Sequence, residues 1–348
     1  MTRVLHVTSV YAGGISRAMA TAILAAPQHE HHLLWSGNER PATDHGFISV
    51  TPLPNGFVKR VQAVRRTVRE LRPDVIHAHS SWAGVFTRIF DVGADVIYQP
   101  HCYKFDDPTI SGVARTAYRL VEKFLMRRTA LVVVLSPHEN ALAQALDARV
   151  ARIFVPNAPS IEPVIAPSVG EDLAEVLMVG RVSPQKDPAF FAAVADLVRE
   201  SRPDVVFRWI GAGPEPLSAV LRRSGVEITG WQNREKLRQT LSGPAIYLHT
   251  AVYEGFPLSV LDAAAFGMPI IARTIPPLEG TPLVQIRDVN AAAEAVLEVL
   301  SRGESCDRAI AGGARLLETM NSRAQAHALE SIYNTFGTEA RTYEGSVS

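Results

Sequence analysis

Two cations five residues apart and two carboxylates eight residues apart have the types and spacing best suited to chemistry in this chain. They are Arg181 and Lys186 in "VGRVSPQKDP", and Glu254 and Asp262 in "YEGFPLSVLDAAA". Arg181 ends an apolar, strand-like run, and Lys186 follows a Ser-Pro turn. Two cations on one loop at the carboxyl edge of a parallel sheet suit a diphosphate. The plainer alternative is a solvated loop with a helix-end lysine. The carboxylates flank a Gly-Phe-Pro turn ahead of an alanine-rich helix. In the plain reading Ser259 caps that helix, and Asp262 sits in its first turns near the positive end of the dipole. In the functional reading Glu254 meets a substrate at the helix mouth while Asp262 reads a pair of hydroxyls. A carboxylate can accept from both members of a vicinal diol.

Other stretches offer weaker signals. Gly13 and Gly14 in "SVYAGGISRAMATAI" follow a first strand and open a helix, so the backbone can approach a ligand and the helix start favours an anion. The stretch is not G-x-G-x-x-G and no acidic residue closes the second strand, which argues against a dinucleotide enzyme. His101 in "YQPHCYKFDD" ends another strand. His77 and His79 alternate on one strand and share a face, which invites a metal reading together with His101; "HEHH" at 29–32 reads as a solvated edge. No Asp-x-Asp is present, and neither a metal nor any other cofactor is expected. Asp106 and Asp107 are a further pair of clustered acids.

The elements that must position these residues alternate. "RVLHVTSV", "HHLLWSG", "DVIHAHS", "DVIYQPH", "LVVVLS" and "RIFVPN" are strand-like in the first half. "EVLMVGR", "VFRWIG", "VEITGW", "AIYLHT" and "PIIART" are strand-like in the second, with amphipathic stretches between. Such alternation predicts an α/β protein of doubly wound parallel sheets. The chain has 348 residues, 47% apolar and 20% charged, enough for two domains with ample cores. The Pro-rich segment 157–172 reads as the linker. The expected division is therefore 1–160, 161–325 and a C-terminal helix, 326–348, crossing back to the first domain.

With only Cys102 and Cys306 there is no disulfide framework, which suggests a reducing compartment. The N-terminus lacks the apolar core of a signal peptide, and no apolar run reaches the roughly 18 residues of a membrane span. A cytoplasmic chain is the expectation. Net charge is zero, yet residues 1–160 carry 18 Lys and Arg against 12 Asp and Glu, a balance of +6. Much of the excess lies in helix 57–72 and in a second helix bearing Arg115, Arg119, Lys123, Arg127 and Arg128. These read either as core-packed helices with solvated faces or as peripheral contacts for an anionic membrane. No nucleic-acid partner is expected.

Taken in order, the stretches resemble a glycosyltransferase of family 4. Those that match are the Gly-Gly turn, "RPDVIHAHSSWAG", "PHCYKFDD", "LSPHENALAQAL", "VPNA", "VGRVSPQKDP", "GAGPE", "ITGWQNREKL" and "YEGFPLSVLDAAAFGMPIIA", over roughly residues 4–275. The resemblance implies the GT-B fold, two facing Rossmann-like domains with a central cleft, and retaining transfer of a sugar from a nucleotide-diphosphate donor, UDP ahead of GDP. The acceptor would be a hydroxyl of a glycan, often lipid-linked. Glu254-x7-Asp262 matches the family's E-x7-E. Glu254 would then touch the donor sugar, and Asp262, one methylene shorter than the usual Glu, the ribose. Backbone groups of Phe256, Pro257, Leu258 and Ser259 would lie at the phosphates, although Pro257 removes one donor. Arg181 and Lys186 would stabilise the leaving diphosphate without a metal, His101 would meet a sugar hydroxyl, and Gly213 would help to cradle the base. A nucleotide-sugar 2-epimerase of the same fold and a non-catalytic partner subunit are the alternatives.

Overall fold

The computed structural model describes residues 1–37, 40–41, 46–162 and 173–344. Residues 163–172, most of the expected linker, lie outside the described residues. Two compact units emerge. The first comprises Met1–Asn157 with Asn321–Ser348, and the second Ala158–Met320.

The first unit runs β1 (Arg3–Thr8), α1 (Gly13–Leu24), β2 (Glu30–Trp35), β3 (Ser49–Pro52), α2 (Phe57–Leu71), β4 (Val75–His79) and α3 (Ser81–Arg88). It continues with β5 (Asp95–Gln99), α4 (Gly112–Leu125), β6 (Leu131–Val134), α5 (Pro137–Leu146) and β7 (Ala151–Phe154). Its strands form one sheet in the order β3-β2-β1-β4-β5-β6-β7, every pair parallel. A parallel sheet covered on both faces needs apolar side chains of both parities, which is why its strands read as near-continuous apolar runs. Leu5, Val7, Ile76, Ala78 and Val132 pack on one side with Val61, Val64 and Val68 of α2. Val4, Val75, Ile97, Leu131 and Val133 pack on the other with Leu329, Ile332 and Tyr333. The last three lie on the final helix, which starts at Ser322, four residues ahead of its expected start, and clusters with this unit.

The second unit runs β8 (Glu175–Val179), α6 (Pro188–Ser201), β9 (Val206–Ile210), α7 (Glu215–Arg223), β10 (Glu227–Ile228) and α8 (Arg234–Leu241). It continues with β11 (Ala245–His249), α9 (Leu258–Ala265), β12 (Ile270–Arg273), β13 (Val284–Ile286), α10 (Val289–Leu300) and α11 (Glu304–Leu317); α12 (Ser322–Glu344) belongs to the first unit. Its sheet, again parallel throughout, has the order β10-β9-β8-β11-β12-β13. β3 and β13, which the sequence reading does not predict, are edge strands. β3 has all four residues exposed and β13 is only three residues long, so neither carries an apolar pattern.

The two basic helices differ. α2 turns Val61, Ala63, Val64 and Val68 into the core and leaves its arginines outside. α4 buries only Glu122 and Leu125. It is held there by a buried polar cluster in which Glu122 accepts from Arg88 Nη2 at 2.9 Å and from the Tyr98 hydroxyl at 2.7 Å. With that charge paired and bonded from both sides, the helix docks without a broad apolar contact.

Candidate active site

In the second unit Gly180 follows β8, and the chain bends through Arg181–Asp187 before α6. The loop is fastened to the segment after β11. Val252 N–H donates to Gln185 O at 2.9 Å, Thr250 Oγ1 to Lys186 O at 2.6 Å, and Gln185 Nε2 to Tyr253 O at 3.0 Å. Asp187, in the left-handed region at φ 51°, caps α6 by accepting from Phe190 N–H, and its other oxygen takes Arg273 Nη1 at 2.6 Å. These bonds bring residues nearly seventy positions apart together. Lys186 Nζ lies 2.5 Å from Glu254 Oε1, and both side chains are largely covered. Arg181 is exposed, and among the described residues none bonds its guanidinium. The loop therefore presents one unpaired cation and one cation–carboxylate pair at the carboxyl edge of a parallel sheet.

Gly213 has a packing reason: a Cβ there would collide with the Val182 carbonyl, as one at Gly211 would with the Gly180 carbonyl. The Gly-Ala-Gly run lets the loop after β9 lie flat on the loop after β8, with Val182 N–H donating to Ala212 O at 3.0 Å.

The helix-capping reading of the two-acid stretch needs correction. α9 begins at Leu258 behind Pro257 with no side-chain cap. The Ser259 hydroxyl instead accepts from the Tyr247 hydroxyl at 2.7 Å beneath the helix. Phe256, Pro257, Leu258 and Ser259 are all buried. Asp262 is 1% exposed, and its Oδ1 accepts from Ser160 N–H at 2.7 Å and Ile161 N–H at 3.2 Å. The Ser160 hydroxyl lies 3.0 and 3.1 Å from its two oxygens. Glu254 thus reaches the loop of cations, while Asp262 holds the chain entering this unit.

In the first unit, Gly13 takes φ 56° at the start of α1 with no atoms where its Cβ would be, and Gly14 is equally open. No side chain caps this helix. His101 follows β5 with φ 58°, and Cys102 has φ 141°. Consecutive non-glycine residues with positive φ are costly. His101 Nε2 lies 3.0 Å from His79 Nδ1, and desolvation pushes its pKa down to about 4. Asp107 is buried and bonded to Lys104 and Thr109, and Asp106 pairs with His138 at 2.9 Å.

The "HEHH" stretch is not a solvated edge: His29, His31 and His32 are buried. His6, which the sequence reading passes over as strand interior, joins them. Its parity on β1 matches that of His77 and His79 on β4, with His6 opposite His77 in register. His6, His77 and His79 bring ring nitrogens within 4.8 Å of one another. His6 and His79 each already engage both ring nitrogens with other imidazoles. A cation there would have to break those bonds, so the histidine cluster gives no support to a metal reading.

Comparisons with known proteins agree with this architecture. A domain described as "Glycosyl transferase 4-like domain" matches residues 4–158, and one described as "Glycosyl transferases group 1" matches 174–302. An Escherichia coli protein, "UDP-Gal:alpha-D-GlcNAc-diphosphoundecaprenol alpha-1,3-galactosyltransferase", is 25% identical over 244 residues, 63% of this chain and 62% of that protein. The match thus spans less than two thirds of that relative's length. Among solved structures, HepE of Anabaena in complex with UDP superposes with TM-score 0.76 at 14% identity, covering 96% of this chain and all of that one. Sucrose-phosphate synthase of Thermosynechococcus elongatus does so with TM-score 0.73 at 18% identity, over 99% of this chain and all of that one. With a family domain on each half and a parallel sheet in each unit, the chain belongs to the family-4 type of glycosyltransferases with the GT-B fold.

Proposed function

We propose that the protein transfers a sugar from a nucleoside-diphosphate sugar to a hydroxyl of a lipid-linked glycan, with retention of anomeric configuration. A UDP donor is favoured, with GDP second. The observation that carries this reading is the Lys186–Glu254 pair beside the unpaired Arg181. An ammonium has three N–H donors, so Lys186 can hold Glu254 and still offer two to phosphate oxygens. Arg181 adds a planar fork suited to the same oxygens. Fixed cations where charge develops on the leaving diphosphate lower the barrier without a metal. Glu254, steadied by Lys186, has acceptor capacity left for sugar hydroxyls. Already neutralised in part by that ammonium, it is a poor nucleophile, which favours same-face transfer over a covalent glycosyl-enzyme.

Asp262 would reach the ribose by exchanging one hydroxyl for another. The Ser160 Oγ–H gives way to a ribose O–H, while the backbone bonds from Ser160 and Ile161 stay in place. Support for the donor comes from HepE, solved with UDP, and from the Escherichia coli relative, named for a UDP-galactose donor. That relative is also named for a diphosphoundecaprenol-linked acceptor, which favours a lipid-linked substrate here.

α4 suits a surface where such a lipid resides. No described helix is long and apolar enough to cross a membrane. Yet α4 exposes Val113, Leu120, Val121 and Phe124 at 83, 63, 45 and 53%. These positions follow the helical period and lie among Arg115, Arg119 and Lys123, an arrangement that rests in an anionic interface. We accordingly place the protein in the cytoplasm, against the inner face of the membrane. The test is a panel of UDP- and GDP-sugars, read first by thermal shift and then by transfer to a polyprenyl-diphosphate-linked sugar. Donor turned over to an epimer without acceptor, or no donor bound at all, would overturn the assignment.

A further inference from the structure

Four imidazoles of the first unit form a continuous hydrogen-bonded row across its sheet. It starts at a backbone carbonyl, Ala26 O, 2.9 Å from His31 Nε2 on β2. His31 Nδ1 lies 2.9 Å from His6 Nε2 on β1, and His6 Nδ1 lies 3.0 Å from His79 Nε2 at the end of β4. His79 Nδ1 then lies 3.0 Å from His101 Nε2, beyond the end of β5. The row crosses four adjacent strands in the order β2-β1-β4-β5.

The direction of every proton in this row follows from its first member. A carbonyl oxygen only accepts, so His31 must carry its proton on Nε2. Neutral His31 then has a bare Nδ1, which obliges His6 to donate from Nε2. The same reasoning passes through His79 to His101. His6, His31 and His79 are buried, and burial together with the neighbouring imidazoles pushes each pKa down, which keeps the rings neutral. All four rings are therefore Nε2–H tautomers. Among the described residues none bonds the Nδ1 of the half-buried His101.

We infer that His31, His6 and His79 are positioning residues that fix His101 as a hydrogen-bond acceptor through Nδ1, set to take the O–H or N–H of a ligand at this sheet edge. A lone pair there accepts from a hydroxyl but repels the oxygens of a carboxylate, which has no proton to give. His77 stands outside the row. It stacks on His79 at 4.2 Å and bonds the Tyr333 hydroxyl instead, at 2.8 Å.

The test is nitrogen NMR of the full chain, isotope-labelled at its histidine rings, near neutral pH. The expected spectrum shows His101 protonated on Nε2 and bare on Nδ1. His31→Phe, which removes the carbonyl-anchored member, should redistribute the His101 tautomers. His77→Phe, which removes an equally buried ring of the same cluster, should leave them unchanged. A wild-type His101 protonated on Nδ1, or tautomers unmoved in His31→Phe, would overturn the inference; the wild-type spectrum decides even if that variant fails to fold.

Discussion

Lys186 Nζ and Glu254 Oε1 stand 2.5 Å apart, although the two residues belong to different strand–helix units of the second sheet. The pair joins the loop expected to hold a diphosphate to the acid expected to hold a sugar. A donor bound at both would be gripped on either side of the bond that breaks.

Arg181→Ala and Lys186→Ala should each lower turnover by roughly 10²-fold, the usual cost of removing one donor to developing charge. Turnover of the wild-type protein should survive EDTA. Steady-state kinetics with and without chelator check both, and a strict requirement for added Mg²⁺ or Mn²⁺ would remove the metal-free account of the leaving group.

Glu254→Gln and Asp262→Asn should fail differently. The first should cut turnover strongly while free UDP binds as well or better, since it removes a carboxylate from beside Lys186. The second should weaken free UDP and intact donor by a similar factor, about 10-fold for one charge-assisted bond. Ser160→Ala, which removes only the competing hydroxyl, should leave nucleotide affinity unchanged or slightly raised. Calorimetric titration of UDP separates these cases. If Asp262→Asn lowers only the melting temperature, the residue is a clamp on Ser160 and Ile161 and nothing more.

Acid should destabilise the first unit. Burial lowers His77 to about 3 and His101 to about 4, so below pH 6.5 the unfolded chain takes up protons that the folded chain refuses. Stability present above about pH 6.5 is then lost as pH falls toward 4, at up to about 1.4 kcal/mol per pH unit for each ring. Glu139 acts with the opposite sign. Its buried carboxyl is raised to about 7, so its contribution declines as pH rises from the ordinary carboxylate range through 7. Denaturant titrations at several pH values should show the acid limb flattened in His77→Phe. Glu139→Gln should lose the decline between mildly acidic and mildly alkaline pH.

Vesicles containing phosphatidylglycerol should sediment the protein, and phosphatidylcholine vesicles should not. Leu120→Glu with Phe124→Glu, placed on the exposed stripe of α4, should abolish sedimentation and leave the melting temperature nearly unchanged, because neither side chain supports the core. Sedimentation unaffected by this pair would move the membrane contact elsewhere.

The sequence by itself determined the architecture. Parallel strands buried on both faces must be apolar at nearly every position, so the inner strands of both sheets stand out as runs such as "LVVVLS" and "AIYLHT". It also determined which loops carry charge at the carboxyl edge of the second sheet, since Arg181, Lys186 and Glu254 each follow a strand. Whether Lys186 would face Glu254 or solvent was a matter for tertiary structure. That contact depends on Gln185, Thr250, Asp187 and Arg273 binding two loops together, and such bonds leave no period in the chain. Asp262 shows the same limit, because its partners Ser160 and Ile161 lie a hundred residues earlier. The histidine row was the least legible of all. His6, His31, His79 and His101 sit in four separate strand segments, and only the strand order β2-β1-β4-β5 makes them neighbours. A histidine within a strand looks alike in sequence whether it meets water, a metal or another imidazole. What distinguishes these is the parity of each position and the register between strands, which are set when the sheet assembles.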